Sequence, residues 1–508
     1  MKTSRLNSRI HFALGVFDEQ PNNSLEILTK SLLEKGCGLE ECVKEGLKLN
    51  QTNQHPSTDE EVTSEVENYY NNNQKVSEQS QDDDSKAKKT SFIRLSDGRL
   101  AEMLFDKDTQ QTSFALYDAK TGQVAVVNSL IDRGKVIYPL DSNEIFSSTT
   151  PSVWFPSKAE SYATEKELFD EIKDFISRYL IVDTDFLNLA TSYVMLTYLY
   201  DCFGVLPYLR VLGDFGTGKS RFLQTIGLIC YKPMICTGAM GPAPVFRVIE
   251  TYKGTLILDE ANFQDGDVGS QIMQILCSGF EKKAPVLRCV GPNNEVKSFQ
   301  VFGPKIISSR SKWKDTALES RCITWPSCVS NKAPLNLDDK FDSEALALRN
   351  KLLMYRFRNY AVKTLDASKF TCPVEPRIRQ ILLPLISMSQ DAEIISQINE
   401  VANNLQKDIV AERENSQAGR VLEAIKEIED GRQQNGQQKG DNIFFSEIEQ
   451  MVNIGIRDKF KLSTQGISRV LRSPELGIPI EVKHNQKGRS IICRPQQMDV
   501  LYQKYGIA

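Results

Sequence analysis

Apolar positions along the chain change period several times, and each change predicts a different kind of element. Between residues 22 and 72 they recur at helical spacing: Leu25, Leu28, Leu32 and Leu33 form one stripe, and Leu39, Val43 and Leu47 another. Thr58 followed by Glu61 has the spacing of a capping box, which starts a helix expected to run to Tyr70. Residues 71–90 hold almost nothing apolar, only Asn, Gln, Ser, Asp and Lys, and are expected to be a disordered linker. From 91 to about 145 the pattern becomes that of strands, with a hairpin signal where 118–122 interrupts the apolar runs of 114–127. Residues 165–179 read as an amphipathic helix and 187–203 as a strongly apolar one. A short buried strand, 208–212, then feeds a glycine-rich loop. Helices are expected again over 342–360 and 376–405, followed by a second linker at 431–440 (GRQQNGQQKG) and a compact unit over 441–508.

The glycine-rich loop changes the picture from architecture to chemistry. Gly213-Asp-Phe-Gly-Thr-Gly-Lys-Ser220 fits the phosphate-loop pattern G-x-x-x-x-G-K-[ST], with a strand before it and a helix expected over 221–229 after it. Glycines such as Gly213, Gly216 and Gly218 let backbone N–H groups wrap phosphates, with Thr217 and Arg221 lining the turn. Lys219 is expected to reach the β- and γ-phosphate oxygens, the Ser220 hydroxyl to sit on Mg²⁺, and the helix N-terminus to add its own positive end. A second apolar strand, 254–258, ends in Asp259 and Glu260. Asp259 is expected to hold Mg²⁺ through water, and Glu260 to polarise the attacking water. The expected ligands are therefore ATP and Mg²⁺.

Three further segments extend this reading. The strand 303–309 ends in Ser308 and Ser309, either of which is placed to sense the terminal phosphate. Arg321, just ahead of a final strand, is expected to reach the nucleotide of a neighbouring subunit, with Arg310 as the runner-up. Lys282 and Lys283 at the tip of an expected hairpin, with Arg288 on its return strand, suit a loop that meets DNA phosphates in a ring pore; an ordinary solvated hairpin is the competing account.

Composition bounds the remainder. The 508-residue chain is 40% hydrophobic and 25% charged, which is globular. No run approaches the ~18 apolar residues of a membrane helix, and the polar start lacks a secretory core, so a cytoplasmic protein is expected. Eleven cysteines without a CxxC pair, beside three histidines, argue against a zinc site and for reduced, buried thiols. Net charge is −4, yet between Arg457 and Arg494 nine lysines and arginines face three acids. That basic segment reads as a winged helix-turn-helix. Residues 445–451 form one helix and 464–472 the recognition helix, with Ile467, Val470 and Leu471 inward and Gln465, Ser468, Arg469 and Arg472 outward. Strands 480–484 and 490–494 flank a wing carrying Lys487 and Arg489. Such modules bind DNA or dock proteins, and the basic face favours DNA.

At these motifs the sequence takes on a family likeness. Residues 208–325 resemble the P-loop ATPases of phage, plasmid and integrative-element replication modules, akin to superfamily 3 helicases and AAA+ ring motors. The likeness extends loosely over 165–405, and Ser320-Arg321 is similar to the trans-acting arginine of minichromosome-maintenance helicases. Near the start, Gly38-Leu-Glu-Glu-Cys-Val-Lys-Glu-Gly-Leu-Lys-Leu-Asn50 looks like the helical module that follows the catalytic part of plasmid and phage primases. The resemblance implies an α/β protein: an additional-strand, AAA+-like P-loop core (161–340), a helical lid (341–430) and a C-terminal winged helix (441–508). Before these would stand a helical primase-C-terminal-like module (1–72), a linker (73–90) and a small β-rich domain (91–160). It further implies a hexameric homo-oligomer that hydrolyses ATP and moves along or opens DNA. No primase catalytic domain is recognised, so if the chain is half of a primase–helicase system, primer synthesis is expected of a separate primase, with other replication proteins as further partners. A DNA-binding regulator or loader switched by ATP, and a nucleotide-dependent defence protein, are the alternatives.

Overall fold

A computed structural model describes residues 29, 39–51, 58–67, 88–142, 152–237, 241–261, 267–290, 295–327, 336–434, 442–473, 476, 480–485 and 488–507. The stripe Leu25 to Leu33, the greater part of the two expected linkers and the wing tip with Lys487 lie outside them. Those described residues fall into two compact units, one within 1–89 and 129–138, the other within 90–128 and 139–508.

The first unit holds the helix Leu39–Asn50, a helical run over 59–67, and a small sheet. The capping box forms as its spacing requires: Thr58 N–H donates to Glu61 Oε2 at 3.0 Å, and Glu61 N–H to Thr58 Oγ1 at 3.3 Å. Its sheet joins β1 (Lys88–Lys89), β6 (Leu130–Asp132) and β7 (Lys135–Tyr138) in the order β1-β7-β6. The expected linker thus ends in a strand, because Lys88 and Lys89 pair with Ile137 and Tyr138. The expected β-rich domain is likewise shared between the two units.

The second unit is mixed α/β. Its antiparallel sheet runs β2 (Phe92–Arg94), β3 (Leu100–Asp106), β4 (Gln111–Asp118) and β5 (Gln123–Val127) in sequence order. Leu100, Leu104, Ala115 and Tyr117 bury against Leu353, Met354 and Phe357 of the helix Asp339–Asn359. Beneath them Glu102 is 1% exposed and accepts from Lys232 at 2.8 Å, Arg356 at 2.5 Å and the Tyr231 hydroxyl at 2.7 Å. Arg356 also forks onto Asp201. A buried carboxylate is tolerable only when paired and hydrogen-bonded in this way.

At the centre lies a parallel sheet of β8 (Tyr208–Leu212), β9 (Met234–Thr237), β10 (Leu256–Asp259), β13 (Lys305–Ser309) and β14 (Cys322–Pro326), in the order β14-β8-β13-β10-β9. The strands are almost continuously apolar because helices cover both faces. Strand β13, late in sequence, is inserted between β8 and β10, so the ends of three strands meet at one carboxyl edge. The helices Glu165–Tyr179 and Thr184–Thr197, N-capped by Thr164 and Asp183, pack beside it. The second of these is buried over twelve residues, and Tyr193 and Lys305 bond to each other through hydroxyl, N–H and carbonyl.

Helices Pro376–Met388, Ala392–Glu414 and Gln417–Gln434 follow. The third begins the expected linker 431–440 as helix, not coil, and Ala418, Val421, Leu422 and Ile425 enter the same core as the C-terminal elements. Those elements are helices Phe445–Val452, Thr464–Leu471 and Pro495–Tyr505, and a sheet of β15 (Ile443–Phe444), β16 (Glu481–Asn485) and β17 (Gly488–Ile492) in the order β15-β17-β16. Among the described residues the cysteines are free, and no helix is long and apolar enough to cross a membrane. Cys289 is exposed, where all thiols were expected to be buried, because its strand lies on the surface.

Candidate nucleotide site

The phosphate loop leaves the carboxyl end of β8 and opens the helix Lys219–Gly227. Gly216 (φ +71°) and Gly218 (φ +86°) adopt the left-handed backbone that a Cβ disfavours. At Gly213 a Cβ would collide with Ser327 Oγ and meet Thr217 Oγ1 at 2.6 Å, so any larger residue would displace the two hydroxyls that close the turn. Thr217 Oγ1 donates to the Asp214 carbonyl at 2.7 Å and accepts from Ser327 Oγ at 2.8 Å, closing the turn. The Lys219 amine rests on the same Asp214 carbonyl at 2.7 Å. Ser220 is exposed on the first helical turn, and Arg221 follows it half-buried.

Strand β10 brings up the acids from two positions along the sheet. Asp259 is half-buried, and Glu260 is exposed with φ +55°, an uncommon conformation for a side chain of that size. Both are organised by Ser308 on the intervening strand: its hydroxyl donates to Asp259 Oδ1 at 2.7 Å and accepts the Glu260 N–H at 2.8 Å. Ser309 ties in as well, since its carbonyl accepts the Gly213 N–H at 3.1 Å. The Ser308 proton is committed to Asp259, so this serine orients a carboxylate and has no proton left for a phosphate. Ser309 Oγ is buried and meets no hydrogen-bond partner among the described residues. Arg310, at the end of the same strand, pairs with Glu260 Oε1 at 3.0 Å and lies 3.8 Å over the Phe215 ring. As runner-up for the arginine that serves a neighbour it is misplaced, because it stands at its own loop.

The donor set fits Mg²⁺. Ser220 and Asp259 offer hard oxygens, and the described residues contain no group of three or more His, Cys, Asp or Glu that would make an all-protein cage. Magnesium ordinarily takes one or two protein oxygens and completes its shell from substrate phosphates and water. Ser220 and Asp259 would hold it, and when bound it would neutralise phosphate charge.

Arg321 sits at the other edge. Its carbonyl accepts the N–H of Tyr208, the first residue of β8, whereas the loop leaves that strand after Leu212. Arg321 therefore stands a strand's length from its own phosphate loop. It is half-buried, with its guanidinium 5.3 Å from the Phe280 centroid, and among the described residues its buried Nε and Nη1 meet no oxygen or nitrogen acceptor. The guanidinium of Arg377 approaches the same ring at 5.3 Å. Burial, then the neighbouring Arg321 charge, lowers the Arg377 pKa. The segment ahead of Arg321 is fixed from β8: Arg210, 1% exposed, forks onto Glu319 with both bonds at 2.6 Å and onto Thr324 at 3.0 Å. Glu319 also accepts the Trp313 backbone N–H, and the Trp313 indole donates to the Ala261 carbonyl at 3.0 Å. No sequence pattern announced Arg210, since an arginine in an apolar strand has no motif.

The lysine pair is not at a hairpin tip. Lys282 and Lys283 occupy the turn between the helix Asp267–Ser278 and β11 (Val286–Val290), ahead of the antiparallel pair that β11 makes with β12 (Glu295–Phe299). Lys282 is held back by its own chain, its amine donating to the Asp201 carbonyl at 2.7 Å. Arg288 lies on the first strand, not the return, bonded to Gln271 and packed 4.2 Å over Phe246. In the C-terminal elements Gln465, Arg469, Arg472 and Arg489 are exposed as expected, but Ser468 is 6% exposed and faces inward, one position from the core residue Ile467.

No protein-family model matches the chain, and no curated protein matches it. Among solved structures it is similar to the NrS-1 C-terminal region, at 12% identity over 77% of this chain and 95% of that one, TM-score 0.34. It is also similar to the SCCmec type IV Cch active helicase (12% identity, 82% and 80% coverage, TM-score 0.38). The JCV helicase is similar over 49% of this chain and 62% of that one, at 13% identity and TM-score 0.23.

Proposed function

We propose that this chain is a Mg·ATP-hydrolysing motor of the additional-strand, AAA+-like class that acts on DNA as an oligomeric ring, in the replication module of a mobile element. The observation that supports it best is the meeting of three strand ends at one edge. There the phosphate loop after β8 bonds to the Ser309 carbonyl of the adjacent β13, and Ser308 of the same strand bonds to Asp259 and to the Glu260 N–H at the end of β10. In this reading Lys219 and the loop N–H groups hold the phosphates, Asp259 and Ser220 hold the metal, and Glu260 accepts a proton from the attacking water. Arg321, out of reach of its own loop, serves the nucleotide of the next copy, and the helices after β14 are the lid. The C-terminal elements are a winged helix that offers Arg469, Arg472 and Arg489 to the phosphate backbone.

The test is ATP hydrolysis with and without single-stranded and forked DNA, for the wild type and for Lys219→Ala, Glu260→Gln and Arg321→Ala. DNA-stimulated turnover lost in all three, with Arg321→Ala rescued in mixed oligomers, is expected. Turnover that ignores DNA, or survives Arg321→Ala in full, sinks the motor. One observation favours a second reading, an ATP-switched DNA-binding regulator or loader: the Arg321 guanidinium is packed on Phe280, not projected outward.

A further inference from the structure

Strand β13 runs parallel to β8 with Ser309 beside Leu212, so the residue after its end lies at the phosphate loop of the same chain. That residue is Arg310. Its guanidinium carbon is 3.8 Å from the centroid of Phe215, the third residue of the loop, and Nη2 is 3.0 Å from Glu260 Oε1. The two charged side chains are 39% and 55% exposed, so water reaches both and the pair is weak and exchangeable. A guanidinium presents the same planar fork to a phosphate as to a carboxylate. Ser308, meanwhile, has spent its proton on Asp259.

We infer that Arg310 is the ligand of the terminal phosphate in its own subunit, and that Glu260 stands in for that phosphate while the site holds no nucleotide. The two duties are then linked. With Arg310 on Glu260, the guanidinium occupies Oε1 and keeps that oxygen from an incoming water. A triphosphate draws Arg310 away and frees the base, and a diphosphate, lacking the group, leaves the pair closed. The inference rests on reading the loop as an ATP site.

The experiment is equilibrium binding of a fluorescent, non-hydrolysable ATP analogue and of the matching ADP, both with Mg²⁺, to the full chain. Arg310→Ala is expected to weaken the triphosphate analogue about tenfold or more, the worth of a charge-assisted hydrogen bond, and to leave ADP unchanged. Arg310→Lys should recover only part of the loss, because one ammonium replaces a fork. Glu260→Gln should tighten the triphosphate several-fold by removing the competing anion. Equal effects of Arg310→Ala on both nucleotides, or none on either, overturn the inference. Lys219→Ala separates the two levels: if it weakens both nucleotides while Arg310→Ala does nothing, only the inference falls. If the wild type binds neither nucleotide, the ATP site falls with it. Thermal unfolding of each variant should match the wild type, since both side chains are at the surface.

Discussion

Along the carboxyl edge of the parallel sheet, charges are held loosely. Lys219 leans on a carbonyl of its own loop, Ser220 is exposed, and the Arg310–Glu260 pair is open to water. Along the amino edge they are locked in. Lys305 is 1% exposed, and its amine meets the carbonyls of Val301 and Gly303 at 3.0 Å and of Gly279 at 3.3 Å. Tyr208 lies 4.9 Å from the same amine, and its hydroxyl donates to Leu276 O at 2.6 Å. The difference teaches how one sheet divides its work. The carboxyl edge keeps its cations solvated and their partners replaceable, while at the amino edge Lys305 and Tyr208 are fixed by buried hydrogen bonds. By gathering carbonyls from both ends of the segment 279–303, Lys305 closes the neck of the β11–β12 insertion at the start of the strand that carries Ser308 and Arg310.

The largest contrast should come from paired substitutions at the two edges. Lys219→Ala is expected to lower ATP turnover on the order of a hundredfold or more while leaving the unfolding midpoint unchanged. Lys305→Met should do the reverse, costing about 2–3 kcal/mol in chemical denaturation because three buried carbonyls lose their donor. Equal stability losses in both variants would erase the distinction between the edges. Next in size is the bridge to Arg321: Glu319→Gln breaks the fork from Arg210, and kcat should fall by about tenfold with the KM for ATP little changed. A shift in KM alone would place Glu319 in ground-state binding.

A pH series sharpens the same contrast. Burial pushes the Lys305 amine from its ordinary 10.5 down to about 7, and burial first pushes Lys232 down to about 8. The unfolded chain therefore binds more protons than the fold between those values and 10.5, so stability should rise as pH increases from about 7 toward 10. Lys305→Met should flatten that slope, measured by denaturation at pH 6, 8 and 10; an unchanged slope would mean that the three carbonyls keep the amine protonated throughout. The smallest effects belong to surface cations. Replacing Arg469 and Arg472 by Ala should reduce the salt slope of DNA binding by about 2, whereas Lys282→Ala, whose amine serves Asp201, should leave it unchanged.

Much of the site was legible because its chemistry is local. The loop Gly213 to Ser220 and the carboxylates after Leu258 are contiguous, and their residue types follow from close backbone approach and from oxygen ligation. Strand 208–212 and helix 165–179 coincide with the observed bounds, since an apolar run between turn signals and a 3.6-residue stripe are short-range patterns. The hairpin was misplaced for a physical reason: Lys282 and Lys283 look like a tip by charge, but Glu281 pairs with Val205 and turns that segment back onto the body of the fold. The helix Gln417–Gln434 runs through glycine and polar residues that resemble a linker, because its inward face, not its composition, holds it to the C-terminal core.

By itself the sequence determined which groups stand together in the candidate site, because covalent order places the glycines, lysine, hydroxyl and carboxylates within two short segments. Only the tertiary structure decided what those groups do for one another. Inserting β13 between β8 and β10 sets Ser308 against both acids and Arg310 against Glu260 and Phe215. These are contacts across 48 to 95 residues of chain, and strand order, which no local pattern encodes, is what closes those distances.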